Sequence, residues 1–110
     1  DVRAMKTKKA LANSLQELML TMNFDKISIE IICKNAGTTR RNFYRHFLDK
    51  YDLLGWIYDQ DFNFDFNEHP DWTIYDYYPY FCKKLYENRK FYMKAYEIDG
   101  QNNLRQISDH

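Results

Sequence analysis

Leu11, Leu15, Leu18 and Met22 follow one another at steps of four, three and four, with polar residues filling much of the space between. That spacing draws one apolar stripe down an amphipathic helix, predicted over 7–22 and closed at Asn23. Phe24 and Ile27 then pack a connection. Ser28 stands where an N-cap belongs, since its hydroxyl can accept an otherwise unpaired backbone N–H. Ile29, Ile32 and Cys33 form the inward face of a second, short helix, which ends at Gly37, a residue that enters the left-handed region without a Cβ penalty. Thr38 and Thr39 can cap a third helix. Its inward face is Phe43 and Phe47, four residues apart, and its opposite side carries Arg40, Arg41, Asn42, Arg45 and His46. Asp49, with Asp52 three residues on, opens a fourth helix in a capping-box-like arrangement, and Leu53, Leu54, Ile57, Tyr58 and Phe62 continue it.

The segment DFNFDFNEHPDW breaks the helical period, because Asn67, Pro70 and Asp71 favour turns. Beyond it, 72–88 and 90–98 read as two further helices, the second ending at Gly100. Pro79 either kinks the first of them or lies near a helix start at Tyr78, because a helix interior loses a hydrogen bond at proline. No internal repeat is present, and the reading is all-α. The chain begins at Asp1 without Met and stops just after Leu104 and Ile107 begin a new helical spacing, so it is expected to be a piece of a longer protein.

Ser28, Ile29, Ile32, Ala36, Gly37, Thr38, Thr39, Asn42, Phe43, Tyr44, His46, Phe47, Lys50 and Leu53 fall in one ungapped register that resembles the DNA-binding domain of the TetR/AcrR transcriptional regulators. Two positions depart from the family pattern: Thr38 replaces a buried aliphatic, and Ile31 is apolar where a polar residue is usual. The resemblance implies a three-helix helix-turn-helix domain at 1–50. A linking helix and the first part of a truncated regulatory domain, for ligand binding and dimerisation, then follow at 51–110. The segments WIYDQDF and YENRKFYMKAYEIDGQNN are similar to the body of a branch that includes activators of dihydroxyacetone kinase operons. By the same resemblance Tyr44, His46 and Lys50 match phosphate-binding positions, and Ser28 could cap its helix and touch a phosphate as well. Arg40, Arg41 and Asn42 occupy the start of the recognition helix, where Arg suits guanine and Asn suits adenine. Arg45 suits either class of contact, and Thr38 and Thr39 complete the expected DNA-binding set.

Charge sharpens this picture. Lys plus Arg and Asp plus Glu each number 16, but 1–50 carries ten basic against five acidic residues and 51–110 carries six against eleven. A basic head on an acidic body fits a polyanion partner; two solvated surfaces of opposite sign fit equally well. Cys33 and Cys82 fall at apolar helical positions and read as small buried hydrophobes, which favours a reducing cytoplasm. No apolar run approaches the length that crosses a bilayer.

His46, His69 and His110 do not share metal-ligand spacing, and there is no nucleophile elbow, phosphate loop or buried acid pair. Neither catalysis, a metal nor a cofactor is expected. The chain holds two Trp, ten Tyr and eight Phe; Trp56, Phe62, Phe64, Phe66, Trp72, Tyr75 and Tyr78 gather around the DFNFDFNEHPDW segment, where a domain boundary is also expected, and Trp56, Phe62, Trp72, Tyr75 and Tyr78 are the candidate ligand-binding side chains. Ordinary packing uses the same residue types.

The function expected is therefore a sequence-specific regulator that binds double-stranded DNA, a ligand-responsive repressor acting as a homodimer in the cytoplasm. Its effector would be a small molecule or a protein. The alternative is a TetR-like coactivator that binds another protein and not DNA.

Overall fold

Asp1 accepts the backbone N–H of Arg3 at 3.1 Å and so starts helix α1, Val2–Met19, a turn and more ahead of the predicted 7. In this computed structural model the backbone is described over residues 1–108 and the side chains over residues 1–98. The helix also ends early. Leu11, Leu15 and Met19 are fully buried, whereas Leu18 and Met22 are only partly so. The apolar stripe thus descends in steps of four onto Met19, and Met22 reaches the core from the turn that follows, where its N–H bonds to the Leu18 carbonyl at 2.8 Å.

A 3-10 turn at Phe24–Lys26 leads to helix α2, Ile29–Ala36. Ser28 caps it, accepting the Ile31 N–H at 3.1 Å. Helix α3 spans Arg40–His46 and helix α4 Lys50–Phe62. Asp49 caps α4 through the Asp52 N–H at 2.8 Å, while the Asp52 carboxylate reaches past the cap residue to accept from Leu48 N–H at 2.9 Å.

Helix α5, Ile74–Glu87, begins where the Asp76 carboxylate accepts the Thr73 N–H at 2.7 Å. Pro79 lies inside this helix and not at its start, so α5 forgoes one ladder bond there. Helix α6, Arg89–Ser108, runs through Gly100, where the sequence suggested an end. Glycine keeps its N–H and adopts helical angles at a propensity cost of about 1 kcal/mol, too little to stop a helix alone. Leu104 and Ile107 belong to the same helix; their side chains, and His110 altogether, lie outside the described residues.

Every regular element among the described residues is helical. One hydrophobic cluster joins Leu11, Leu15 and Met19 of α1, Ile32 and Cys33 of α2, Phe43 of α3, Leu53, Leu54 and Ile57 of α4, and Phe91, Tyr92 and Ala95 of α6. Residues on both sides of position 50 therefore share a core. Cys82, expected to be buried, is half-exposed on α5.

Candidate nucleic-acid interface

Gly37 has φ 74° and ψ 34°, the left-handed conformation expected of it. Its N–H bonds to the Lys34 carbonyl at 3.3 Å and the Thr38 N–H to the Cys33 carbonyl at 2.9 Å, which satisfies the end of α2 and sets the direction of the chain into α3. Thr39 then caps α3, accepting the Asn42 N–H at 3.1 Å. The Thr38 hydroxyl accepts from Asn42 Nδ2 at 2.9 Å. That bond gives the departure at position 38 a physical account: Thr38 supplies a polar clamp on the first turn of α3.

Phe43 is fully buried and Phe47 nearly so, and these two rings seat α3 on the core. Arg40, Arg41, Tyr44 and Arg45 face solvent, with Asn42 and His46 half-buried beside them. The Tyr44 ring meets Phe43 edge-on at 5.5 Å. No carboxylate of the described residues forms an ion pair with the three arginines. Arg40 is close enough to oppose the effect of burial on Cys33, which raises that thiol above its ordinary range.

Behind the helix pair lies a contact the sequence reading missed. Ser14, buried on α1, donates to the Ile32 carbonyl at 2.8 Å and accepts from Asn35 Nδ2 at 3.0 Å. The signal available was a serine three residues after Leu11, on the apolar side of α1. Ile31, the other departure, is half-buried on α2.

Two expected phosphate contacts already have partners within the protein. Ser28 accepts at its N-cap, and a hydroxyl that accepts can still donate outward. Lys50 Nζ donates to the carbonyls of Phe24 at 2.7 Å and Ile27 at 2.9 Å, which occupies two of its three N–H bonds. Burial pushes its pKa down, and Asp25 opposes the shift.

The five candidate ligand-binding aromatics do not meet in one pocket. Trp56 packs edge-on to Phe47 at 5.9 Å, and Phe62 lies against Phe81 at 4.9 Å and Tyr92 at 5.3 Å. Trp72 stacks on His69 at 3.7 Å and lines a separate cleft, while Tyr75 and Tyr78 are exposed. No helix of the described residues is long and apolar enough to cross a membrane, and no metal-binding group is found among them.

No protein-family model matches the chain. It is similar to the HTH-type dhaKLM operon transcriptional activator DhaS of Lactococcus lactis subsp. lactis (strain IL1403), with 31% identity covering 84% of this chain and 50% of the relative. It also resembles a solved structure, the dihydroxyacetone kinase operon activator DhaS, at TM-score 0.67 and 31% identity, covering 86% of this chain and 54% of that one. The chain thus spans about half the length of the proteins it matches. Over the span this likeness covers, the chain belongs to the TetR-like transcriptional regulators.

Proposed function

We propose that the chain is the DNA-binding head, with the first body helices, of a transcriptional regulator. The observation that carries this reading is the exposed face of α3, where Arg40, Arg41 and Arg45 stand without carboxylate partners among the described residues, on a helix seated by Phe43 and Phe47. A short helix of this shape enters a major groove, where Arg and Asn side chains pair bidentately with base edges. Arg40, Arg41 and Asn42 take that role. Ser28, Thr38, Thr39, Tyr44 and His46 flank them and supply phosphate contacts, with Lys50 contributing its remaining N–H.

The complete protein acts in this proposal as a homodimer that sets two recognition helices about 34 to 36 Å apart on successive major grooves. A small-molecule or protein effector bound to the body would bias that separation. The matched relative is an operon activator, which supports activation in place of the repression first expected. The work is done on DNA in the cytoplasm, and the relatives are regulators and not enzymes.

The test is fluorescence anisotropy with labelled duplex DNA across a salt series. DNA binding should weaken with a log–log slope of about −0.9 for each phosphate neutralised, and changing Arg40, Arg41 and Arg45 together to Ala should flatten it. Absence of a salt-dependent complex at low ionic strength would favour the coactivator alternative.

A further inference from the structure

The segment joining α4 to α5 gathers several of its aromatic rings around one buried tyrosine. Phe64, Phe66 and Trp72 bring their rings to 5.7, 4.9 and 5.0 Å from that of Tyr77. Tyr77 is only 7% exposed, and its hydroxyl oxygen is shut off from solvent with no hydrogen-bond partner among the described residues. Folded chains leave few buried polar atoms in that state, because an unmade bond forfeits the full cost of removing the group from water. An orphaned hydroxyl of this kind calls for a partner that the described residues do not supply.

Tyr77 lines a cleft of about 320 Å³, whose walls include Phe64, Trp72 and Tyr80. That volume suits a compact ligand. Charge narrows its chemistry. Burial raises the Tyr77 hydroxyl pKa, and Asp65, Glu68, Asp71 and Asp76 push in the same direction, so the phenol stays protonated in a negative field. Of the two lysines at the cleft, Lys83 lies 3.9 Å from Glu87, which leaves Lys84 as the opposing charge. Aromatic faces and surplus carboxylates both attract cations and repel anions.

We propose that this cleft binds a small organic ammonium ion on an apolar body: the rings that enclose Tyr77 part to let the ligand's N–H reach the phenol oxygen, and its charge is set against Phe64, Trp72 and Tyr80. None of these side chains belongs to the α3 face, so the site stands or falls separately from DNA binding.

Phenethylammonium chloride is a suitable probe, with phenylacetate and phenethyl alcohol as anionic and neutral counterparts of the same shape. The 110-residue chain is titrated with each while the indole N–H resonance of Trp72 is followed by NMR. Saturable binding of the ammonium, with much weaker binding of both counterparts, is expected. Tyr77→Phe keeps the ring and removes only the oxygen; it should melt at or above the parent temperature yet bind the ammonium about tenfold more weakly. Tyr96→Phe, on α6 and outside the cleft lining, should leave affinity unchanged. Equal binding of the three probes, preference for phenylacetate, no saturable shift at Trp72, or parent-like affinity in Tyr77→Phe would each overturn the proposal.

Discussion

The Lys50 ammonium stands 4.3 Å from the centroid of the Phe24 ring while donating to the Phe24 backbone carbonyl at 2.7 Å. A second bond, to the Ile27 carbonyl at 2.9 Å, makes the first residue of α4 a brace for the turn that carries the chain from α1 to α2. Lys50→Met keeps the aliphatic stem and removes the donors. It should cost about 1 to 2 kcal/mol, the lower range for bonds to a charged group because the site is partly exposed. Urea unfolding measures the loss. Lys50→Arg should not restore it fully, since a planar guanidinium does not offer the same point of charge to two carbonyls. An unchanged midpoint for Lys50→Met would remove the brace from the account and return Lys50 to a purely external role.

Gly37 offers a cleaner separation of backbone strain from steric clash. A Cβ built at this position meets nothing within 4 Å, so only the φ of 74° opposes a side chain. Gly37→Val should therefore lose about 1 to 3 kcal/mol through strain at a β-branched residue. Gly37→Asn should lose clearly less, because asparagine tolerates the left-handed region. Equal losses in thermal melts of the two variants would mean that the penalty comes from packing.

The tie between α6 and α4 predicts an alkaline sensitivity. The Tyr92 hydroxyl donates to the Asp61 carboxylate, and burial followed by that bond raises its pKa well above the ordinary 10.0. Cys33 is raised from 9.0 chiefly by burial. In both cases the folded chain holds a proton that the unfolded chain releases sooner. Their stabilisation is complete below the unfolded values and is lost as pH rises above about 9 to 10 towards the folded ones. Tyr92→Phe should lose about 1 kcal/mol at neutral pH, because Asp61 loses its donor, and should show a shallower decline in stability above pH 10. Parallel stability–pH curves for parent and variant would contradict the assignment.

The parts of this structure that were legible in the sequence are those whose partners are close along the chain. Ser28 with Ile31, Thr39 with Asn42 and Asp49 with Asp52 each join an oxygen to an N–H three residues on, a geometry that residue type and spacing encode directly. Gly37 was legible for the same reason. Lys50 was read outward, towards a phosphate, because its carbonyl partners lie 26 and 23 residues back and no local spacing points to them. The bond from Ser14 to Ile32, 18 residues apart, was hidden likewise. Among the aromatics, abundance near residues 56–78 suggested a pocket without identifying which rings would meet. Tyr77, enclosed by three other rings, was the informative one, and the exposed Tyr75 and Tyr78 were not.

Arg41 and Arg45 lie four residues apart on the exposed side of α3, so both can face DNA while doing different work. Arg41 is in the first turn, where a side chain reaches base edges; Arg45 is near the end, beside the helix terminus and closer in character to a backbone contact. Arg41→Ala should lower affinity for a selected duplex by about 1 to 3 kcal/mol and change random duplex much less. Arg45→Ala should weaken both duplexes by similar factors and reduce the salt slope by about one. Anisotropy titrations of the two variants against selected and random duplexes at several salt concentrations distinguish the roles. Since neither arginine pairs with a carboxylate of the described residues, both variants should keep the parent melting temperature, so a loss of affinity reads contact and not unfolding. If Arg41→Ala weakens selected and random duplexes by the same factor, Arg41 reads no base, and sequence recognition passes to Arg40 or Asn42.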